Sequence, residues 1–146
     1  MNSIFKQQAT PEFINQNLVT NMIANVGIEF LEIGQDYLKA RMPVNEKTTQ
    51  TFGILHGGAS VVLAETVGSI GANLAVEEEY FCVGLEVNAN HLRTVRSGYV
   101  YALARPLHIG KAIQVWDIRI TDDNHKLVCI SRLTMAVRHK IKDALH

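Results

Sequence analysis

The sequence predicts an α+β domain in which one antiparallel sheet curls around a single long, buried helix. Residues 59–76 are apolar or small on every side of a helix, which is typical of a buried helix. Two strands before this helix and four after it follow one another through short connections, which favours antiparallel pairing. One sheet and one apolar helix bury each other best when the sheet curls around the helix. With 146 residues, the chain is expected to form one domain over 1–146.

The N-terminal region is predicted to be a helical segment over 1–22. The motif T-P-E at 10–12 has a threonine N-cap, a proline at the first helical position and an acid in the first turn. We therefore expect a short helix from 11 to about 20. Residues 21–27 are predicted to form a turn or a second short helical piece.

The strands are predicted from alternating apolar residues and from the turns between them. In the segment 37–42, Leu38, Ala40 and Met42 share one face, as in a half-buried antiparallel strand. The acidic and polar run 122–125 predicts a hairpin before the last strand. Residues 139–146 are expected to be a frayed tail. The predicted strands cover 27–33, 37–42, 82–90, 98–105, 111–121 and 127–138.

The long helix carries one carboxylate among its apolar residues. Glu65, Ser69 and Asn73 are four residues apart and share a stripe on the helix surface. A carboxylate in such surroundings is costly unless it is paired, hydrogen-bonded or used in chemistry. Glu65 is therefore either a structural acid with internal hydrogen bonds or a catalytic candidate.

Glycines stand at two important places in this segment. Gly57 and Gly58 lie where the helix begins, and the free N–H groups of a helix N-terminus carry partial positive charge. They either form an oxyanion site or only permit a tight turn. Gly68 and Gly71 in mid-helix predict close approach by another element. We take the second pair as a sign of a dimer that packs two such helices or sheets together.

Composition and charge narrow the functional classes. Lys+Arg and Asp+Glu balance at 14 each, so no global field attracts nucleic acid or an anionic membrane. The two cysteines form no CxxC, and the N-terminus lacks the apolar core of a signal peptide; both features favour a reducing cytoplasm. The glutamate and glycines of the long helix argue against a membrane span. The six histidines show no zinc-ligand spacing, so no metal is expected.

The motif L-H-G-G-A-S-V-V-L-A-E-T at 55–66 resembles that of the hotdog-fold acyl-CoA thioesterases. The similarity is greatest to the branch of phenylacetate-pathway, 4-hydroxybenzoyl-CoA and 1,4-dihydroxy-2-naphthoyl-CoA thioesterases. It covers nearly all of 21–137 and is strongest in M-P-V-N-E-K-T-T-Q-T-F-G-I-L-H-G-G, V-G-L-E-V-N-A-N-H, P-L-H-I-G and Q-V-W-D-I-R-I.

This resemblance implies hydrolysis of an aromatic acyl-CoA thioester, of the kind found in menaquinone biosynthesis. It implies no cofactor, because coenzyme A is part of the substrate. It also implies a homo-oligomer, a dimer or a homotetramer built as a dimer of dimers, with active sites shared between subunits. The alternatives are a proofreading thioesterase that acts on an aryl or acyl carrier protein and a non-catalytic acyl-CoA sensor. A hotdog-fold dehydratase is disfavoured because its His-acid pattern is absent around His91.

The resemblance assigns roles to four residues of the central segment. Glu65 is implied as nucleophile or general base, and the Gly57 N–H as the group that polarises the carbonyl. Gln50 is implied near the same carbonyl, and His56 either orients the loop or contacts the thioester. By its position one turn after Glu65, Ser69 binds the attacking water or the carboxylate, or else its own helix carbonyl. In this fold the acid faces the Gly and Gln of the other subunit.

Coenzyme A is expected to bind near strand ends. Phosphates favour Arg, Lys and exposed N–H groups at such positions. Three clusters are candidates: Asn90, His91 and Arg93; His108, Gly110 and Lys111; and Ser131 with Arg132.

Overall fold

The computed structural model describes residues 2–18 and 20–142, and over this part of the chain it confirms the α+β architecture. Six strands form one sheet in the order β1-β2-β4-β5-β6-β3, and all neighbours pair antiparallel. The elements are α1 Pro11–Gln16, α2 Met22–Asn25, β1 Glu29–Ile33, β2 Leu38–Pro43, α3 Gly57–Leu74, β3 Tyr80–His91, β4 Tyr99–Ile109, β5 Ile113–Thr121 and β6 Leu127–His139.

The sheet curls around α3, which packs against β2, β3, β4, β5 and β6. Alternate residues of the central strands point at the helix and are buried, as their sequence pattern predicts. From α3, Leu63 and Val67 are fully buried, and each contributes about 1.5–3 kcal/mol of hydrophobic stabilisation. The core side chains of β2, β4 and β5 include Leu38, Ala40, Met42, Val100, Ala102, Ala104, Trp116, Ile118 and Ile120.

Only one side of α3 is fully covered by the described residues. Leu63, Val67 and Ala72 are buried against the sheet, whereas Val62 and Ile70 on the opposite side are half-exposed. The expectation that every side of the helix is buried is therefore wrong for a single chain. On the outer side α2 contacts the helix, and Met22 and Ile23 line a cavity there with Val62 and Ile70.

Gly68 and Gly71 face the chain's own sheet. A Cβ atom at Gly68 would lie 2.6 Å from Cδ2 of Leu133, and one at Gly71 would lie 2.9 Å from the ring of Trp116. Both glycines are needed because these large core side chains press against the helix backbone. Their interpretation as a sign of a second subunit is therefore wrong.

The N-terminal segment is less helical than expected. Helix α1 ends at Gln16, where Asn17 caps it by donating from Nδ2 to the Phe13 carbonyl at 2.7 Å. Before Pro11 the described residues are not helical. The backbone N–H groups of Lys6 and Gln7 donate to the Leu74 carbonyl at 2.8 and 3.1 Å. This segment therefore supplies donors to the last carbonyl of α3, which has no partner within the helix.

The two outer strands of the sheet, β1 and β3, are each bonded by an asparagine side chain. Asn15 exchanges two hydrogen bonds with the backbone of Phe30, at 2.7 and 2.9 Å. Asn73 does the same at Cys82, at 2.8 and 3.3 Å. An asparagine amide replaces a neighbouring strand at these positions and limits edge-to-edge pairing there.

The C-terminal region is ordered further than predicted. Strand β6 continues to His139, and the Lys140 N–H donates to the Glu79 carbonyl at 2.9 Å. The expectation of fraying is wrong for 139–142, and the rest of that prediction lies outside the described residues. No described helix combines the length and the hydropathy that crossing a membrane requires.

Candidate active site

At the beginning of α3, one backbone N–H group makes no hydrogen bond with the described residues. His56 is the N-cap, and its Nδ1 accepts a hydrogen bond from the Gly58 N–H at 2.8 Å. The His56 carbonyl accepts from the N–H groups of Ala59 and Ser60 at 3.0 and 3.3 Å. Among the described residues, the Gly57 N–H has no partner. It therefore remains free to bind an external acceptor at the positive end of the helix.

A tight loop places Gln50 next to this helix end. The Gln50 N–H donates to the Ile54 carbonyl, and the Gly53 N–H donates to the Gln50 carbonyl, both at 2.9 Å. Gly53 closes the loop with a φ of 74°, a conformation that favours glycine. The side-chain oxygen of Gln50 accepts from the Phe52 N–H, so its amide NH₂ group is left to donate elsewhere.

These groups line a cavity of about 360 Å³, here called the amide cavity. His91 lies directly over Gly57, since a Cβ atom at Gly57 would be 2.9 Å from Nε2 of His91. Glycine at this position lets the His91 ring approach the helix backbone. The lining residues are Gln50, Ile54, Leu55, Gly57, Ser60, His91, Leu92, Arg93, Thr94 and Val128.

Glu65 lies in a different cavity of about 290 Å³, here called the carboxylate cavity. Its side chain is half-exposed and faces Gly84 of β3, where a Cβ atom would lie 2.6 Å from Oε1. The carboxylate has no hydrogen bond or ion pair with any described residue, which argues against a structural acid with internal partners. The cavity is lined by Met22, Ile23, Val62, Glu65, Thr66, Ser69 and Ile70.

One chain therefore contains two separate half-sites. Gln50 and Gly57 line the amide cavity, whereas Glu65 and Ser69 line the carboxylate cavity. Eight residues of α3 separate Gly57 from Glu65, which corresponds to about 12 Å along the helix axis. Neither the amide cavity nor the carboxylate cavity contains both groups.

Comparison with known proteins identifies the family of this chain. The thioesterase superfamily model matches residues 52–129, more than half of the sequence.

The chain belongs to the thioesterase superfamily.

The 1,4-dihydroxy-2-naphthoyl-CoA hydrolase of Escherichia coli is 49% identical, over 92% of this chain and 98% of the relative. The proofreading thioesterase EntH of Cronobacter turicensis is 42% identical, over 92% of this chain and 98% of the relative. A crystal structure of a thioesterase from Haemophilus influenzae matches with a TM-score of 0.95 and 46% identity, and it covers 97% of this chain and 99% of that one. The resemblance drawn from the sequence is confirmed, and so is the hotdog fold.

The residues expected to bind coenzyme A are placed apart in this thioesterase. His91 and Arg93 line the amide cavity, and Asn90 precedes them in β3. Gly110 and Lys111 instead line a cavity of about 420 Å³ beyond the C-terminal end of α3, next to the Lys6–Glu77 ion pair. His108, at the end of β4, belongs to the same region.

The third pair lies in the middle of β6. Ser131 is buried, and its hydroxyl donates to the Asn88 carbonyl at 2.8 Å, so it offers no surface to coenzyme A. Arg132 is exposed. Within one chain, the three clusters do not form one site.

The two cysteines of this thioesterase, Cys82 and Cys129, are buried free thiols. Burial raises the pKa of the Cys82 thiol to about 11 and also raises the pKa of Cys129, which disfavours the reactive thiolate. No described cluster of His, Cys, Asp and Glu side chains has the arrangement of a metal site.

The sequence analysis missed Ser60, Leu92 and Val128 as cavity residues. Leu92 and Val128 belong to the 91–94 turn and to β6, which are distant in sequence, and only tertiary packing brings them together. Ser60 carried a usable signal, because it follows Gly57 by three residues and therefore shares its helix face.

Proposed function

We propose that this protein hydrolyses an aromatic acyl-CoA thioester, similar to 1,4-dihydroxy-2-naphthoyl-CoA, to the free acid and coenzyme A. Membership of the thioesterase superfamily and the name of the Escherichia coli relative support this function. The observation that carries it is the unpartnered Gly57 N–H at the start of α3, within a cavity that also contains Gln50.

Gly57 polarises the thioester carbonyl. The carbonyl oxygen gains negative charge as the acyl carbon is attacked, and an N–H at the positive end of a long helix stabilises that charge. Because the neighbouring N–H groups are already used by His56, the donor is fixed in place before the substrate binds. The free amide of Gln50 is a second donor on the same side of the cavity.

Glu65 supplies the attacking oxygen in one of two ways. As a nucleophile, its carboxylate bonds to the acyl carbon while the carbon–sulfur bond breaks, and water then cleaves the resulting anhydride. As a general base, it takes a proton from the water that attacks the acyl carbon. In both cases coenzyme A leaves as a thiolate and is then protonated. Ser69 lies one turn further along the helix and lines the same cavity as Glu65, which supports a role in holding the attacking water; in the free protein its hydroxyl donates to Sδ of Met135 at 3.7 Å.

We propose that two copies of the chain complete each site. The Gly57 end of α3 from one copy approaches Glu65 of the other, because the two half-sites are too far apart within one chain. The half-exposed outer side of α3 and the edge strand β3, where Val83 and Leu85 are exposed, support this assembly. Pairing of two such dimers would give the tetramer implied by the family resemblance.

Thiol release from acyl-CoA tests the activity. Purified protein is mixed with benzoyl-CoA and with 1,4-dihydroxy-2-naphthoyl-CoA, and free coenzyme A is followed with a thiol reagent. We expect multiple turnovers with both substrates and a larger kcat/KM for the naphthoyl compound. Binding of either substrate without release of thiol would instead indicate an acyl-CoA sensor and refute hydrolysis.

Mixed dimers test the shared site. Glu65→Gln and Gly57→Pro chains carry different affinity tags, are co-expressed, and the heterodimer is isolated by two successive tag purifications. Each variant alone is expected to be nearly inactive. The heterodimer contains one site with both wild-type groups and should recover about half of the wild-type kcat per dimer, as expected for independent sites. A heterodimer as inactive as its parents would show that both groups act within one chain.

A carrier protein, in place of coenzyme A, is a second candidate for the thiol carrier of the acyl group. The relative named proofreading thioesterase EntH favours this reading. Comparing kcat/KM for the same aryl group on coenzyme A and on an aryl carrier protein decides between them. A tenfold or larger preference for the carrier protein would assign a proofreading role.

A further inference from the structure

Ser60 has a hydroxyl group that no other described residue uses. The residue is only 1% exposed, and its side chain makes no hydrogen bond within the described part of the chain. All side-chain oxygen and nitrogen atoms that are fully buried in that part do have a partner. The Oγ atom of Ser60 is therefore not fully buried, and the residue lines the amide cavity.

This arrangement is unusual for a serine inside a helix. A helical serine ordinarily bonds to the carbonyl four residues earlier, which here belongs to His56. That carbonyl already accepts from the N–H groups of Ala59 and Ser60. The hydroxyl is thus left without its common local partner and is available to an external one.

The position of Ser60 relates it to the reacting carbonyl. Ser60 follows Gly57 by three residues, so both lie on one face of α3, about 4.5 Å apart along the axis. The cavity around it has apolar lining residues, among them Leu55, Leu92 and Val128, and also polar ones. Of these polar residues, Ser60 is the one that shares the helix face of Gly57, so an acyl group whose carbonyl binds the Gly57 N–H extends past it.

We infer that Ser60 is a specificity-determining residue that hydrogen-bonds an oxygen substituent on the acyl group. The inference rests on the proposed thioesterase function. Sites that hydrogen-bond a substrate hydroxyl reject the analogue that lacks it, because the protein group is then left unpaired in the complex. A hydroxyl both donates and accepts, so Ser60 pairs equally well with a ring hydroxyl or a phenolate.

Four matched substrates test this assignment: benzoyl-CoA and its 2-, 3- and 4-hydroxy derivatives. The wild-type protein is expected to prefer at least one hydroxylated isomer. In Ser60→Ala, kcat/KM for that isomer should fall about 5- to 10-fold, the effect of one neutral hydrogen bond, while kcat/KM for benzoyl-CoA stays constant. Thr94→Val removes an exposed hydroxyl from the same cavity and should leave the isomer preference unchanged.

Thermal unfolding separates this role from a structural one. Since Ser60→Ala removes an unpartnered hydroxyl and adds a better helix former, its Tm should rise by about 2 °C. An unchanged isomer preference in Ser60→Ala, or an equal loss with all four substrates, overturns the inference and leaves the proposed function intact. If the wild-type protein shows no isomer preference, the inference also fails. If it hydrolyses none of the four, the proposed function and the inference fail together.

Discussion

Replacing Gly57 with proline removes the one N–H group that the proposed mechanism depends on. Gly57 is the first residue of α3, and proline is well tolerated at that helical position. The preceding residue, His56, has a ψ of 130°, which suits a residue before proline. No described hydrogen bond uses the Gly57 N–H, so the substitution breaks no internal bond.

The magnitude follows from the role of this donor. Loss of one oxyanion donor lowers kcat by about 10²- to 10³-fold, or about 3–4 kcal/mol of transition-state stabilisation. The steric effect is measured separately with Gly57→Ala, which adds the same Cβ atom 2.9 Å from Nε2 of His91 but keeps the N–H. Both variants must displace the His91 ring, so the ratio of their kcat values isolates the hydrogen bond.

The assay is steady-state thiol release from an aromatic acyl-CoA, with thermal unfolding of both variants as the control for folding. We expect the Tm values of the proline and alanine variants to lie within a few degrees of each other, because proline also reduces the freedom of the unfolded chain. Equal kcat values for the two variants would refute the role of the Gly57 N–H in polarising the carbonyl.

Four further predictions follow from the structure. Glu65→Gln should lower kcat by at least about 10³-fold with little change in Tm, and near-normal turnover would remove Glu65 from the mechanism. Arg93→Ala should raise KM for acyl-CoA much more than it lowers kcat, whereas an unchanged KM would contradict phosphate binding at the amide cavity. Gly71→Ala should lower the free energy of unfolding by about 1–3 kcal/mol in urea titrations, because the new methyl group meets the buried Trp116 ring; no loss would contradict that packing. The unfolded Cys82 thiol ionises near pH 9 and the folded one near pH 11, so the free energy of unfolding should fall between these values, and Cys82→Ala should show a smaller fall over the same range.

The fold was predictable where the sequence shows a contrast between an apolar and a polar face of the same strand or helix. In β2 the apolar residues Leu38, Ala40 and Met42 alternate with longer polar ones, and all three are buried as expected. In α3 that contrast is missing, since nearly every residue is apolar or small. The sequence therefore indicated burial correctly but could not show which side the sheet covers or which side stays open.

Site residues on one continuous segment were easier to predict than those that tertiary packing brings together. Gln50 and Gly57 line one cavity because a short loop and a helix start hold them, both visible in the sequence. Two of the three coenzyme A clusters were grouped only because each lies at a strand end. His91 precedes β4 in the sequence, and Gly110 follows it. Because β4 has 11 residues, its two ends are about 36 Å apart. The two clusters therefore lie at opposite ends of the sheet.

Hydrogen bonds at both ends of α3 limit which insertions this protein can accept. The His56 N–H is bonded to Thr48 ahead of the helix, and Leu74 near its end accepts from Lys6 and Gln7. Held in this way, the helix cannot slide to compensate for a change in its length. One residue inserted between Gly58 and Glu65 would rotate the carboxylate by about 100° and shift it by about 1.5 Å. Insertions should therefore be tolerated in the surface turns but selected against between Gly58 and Glu65, even where every inserted side chain would fit.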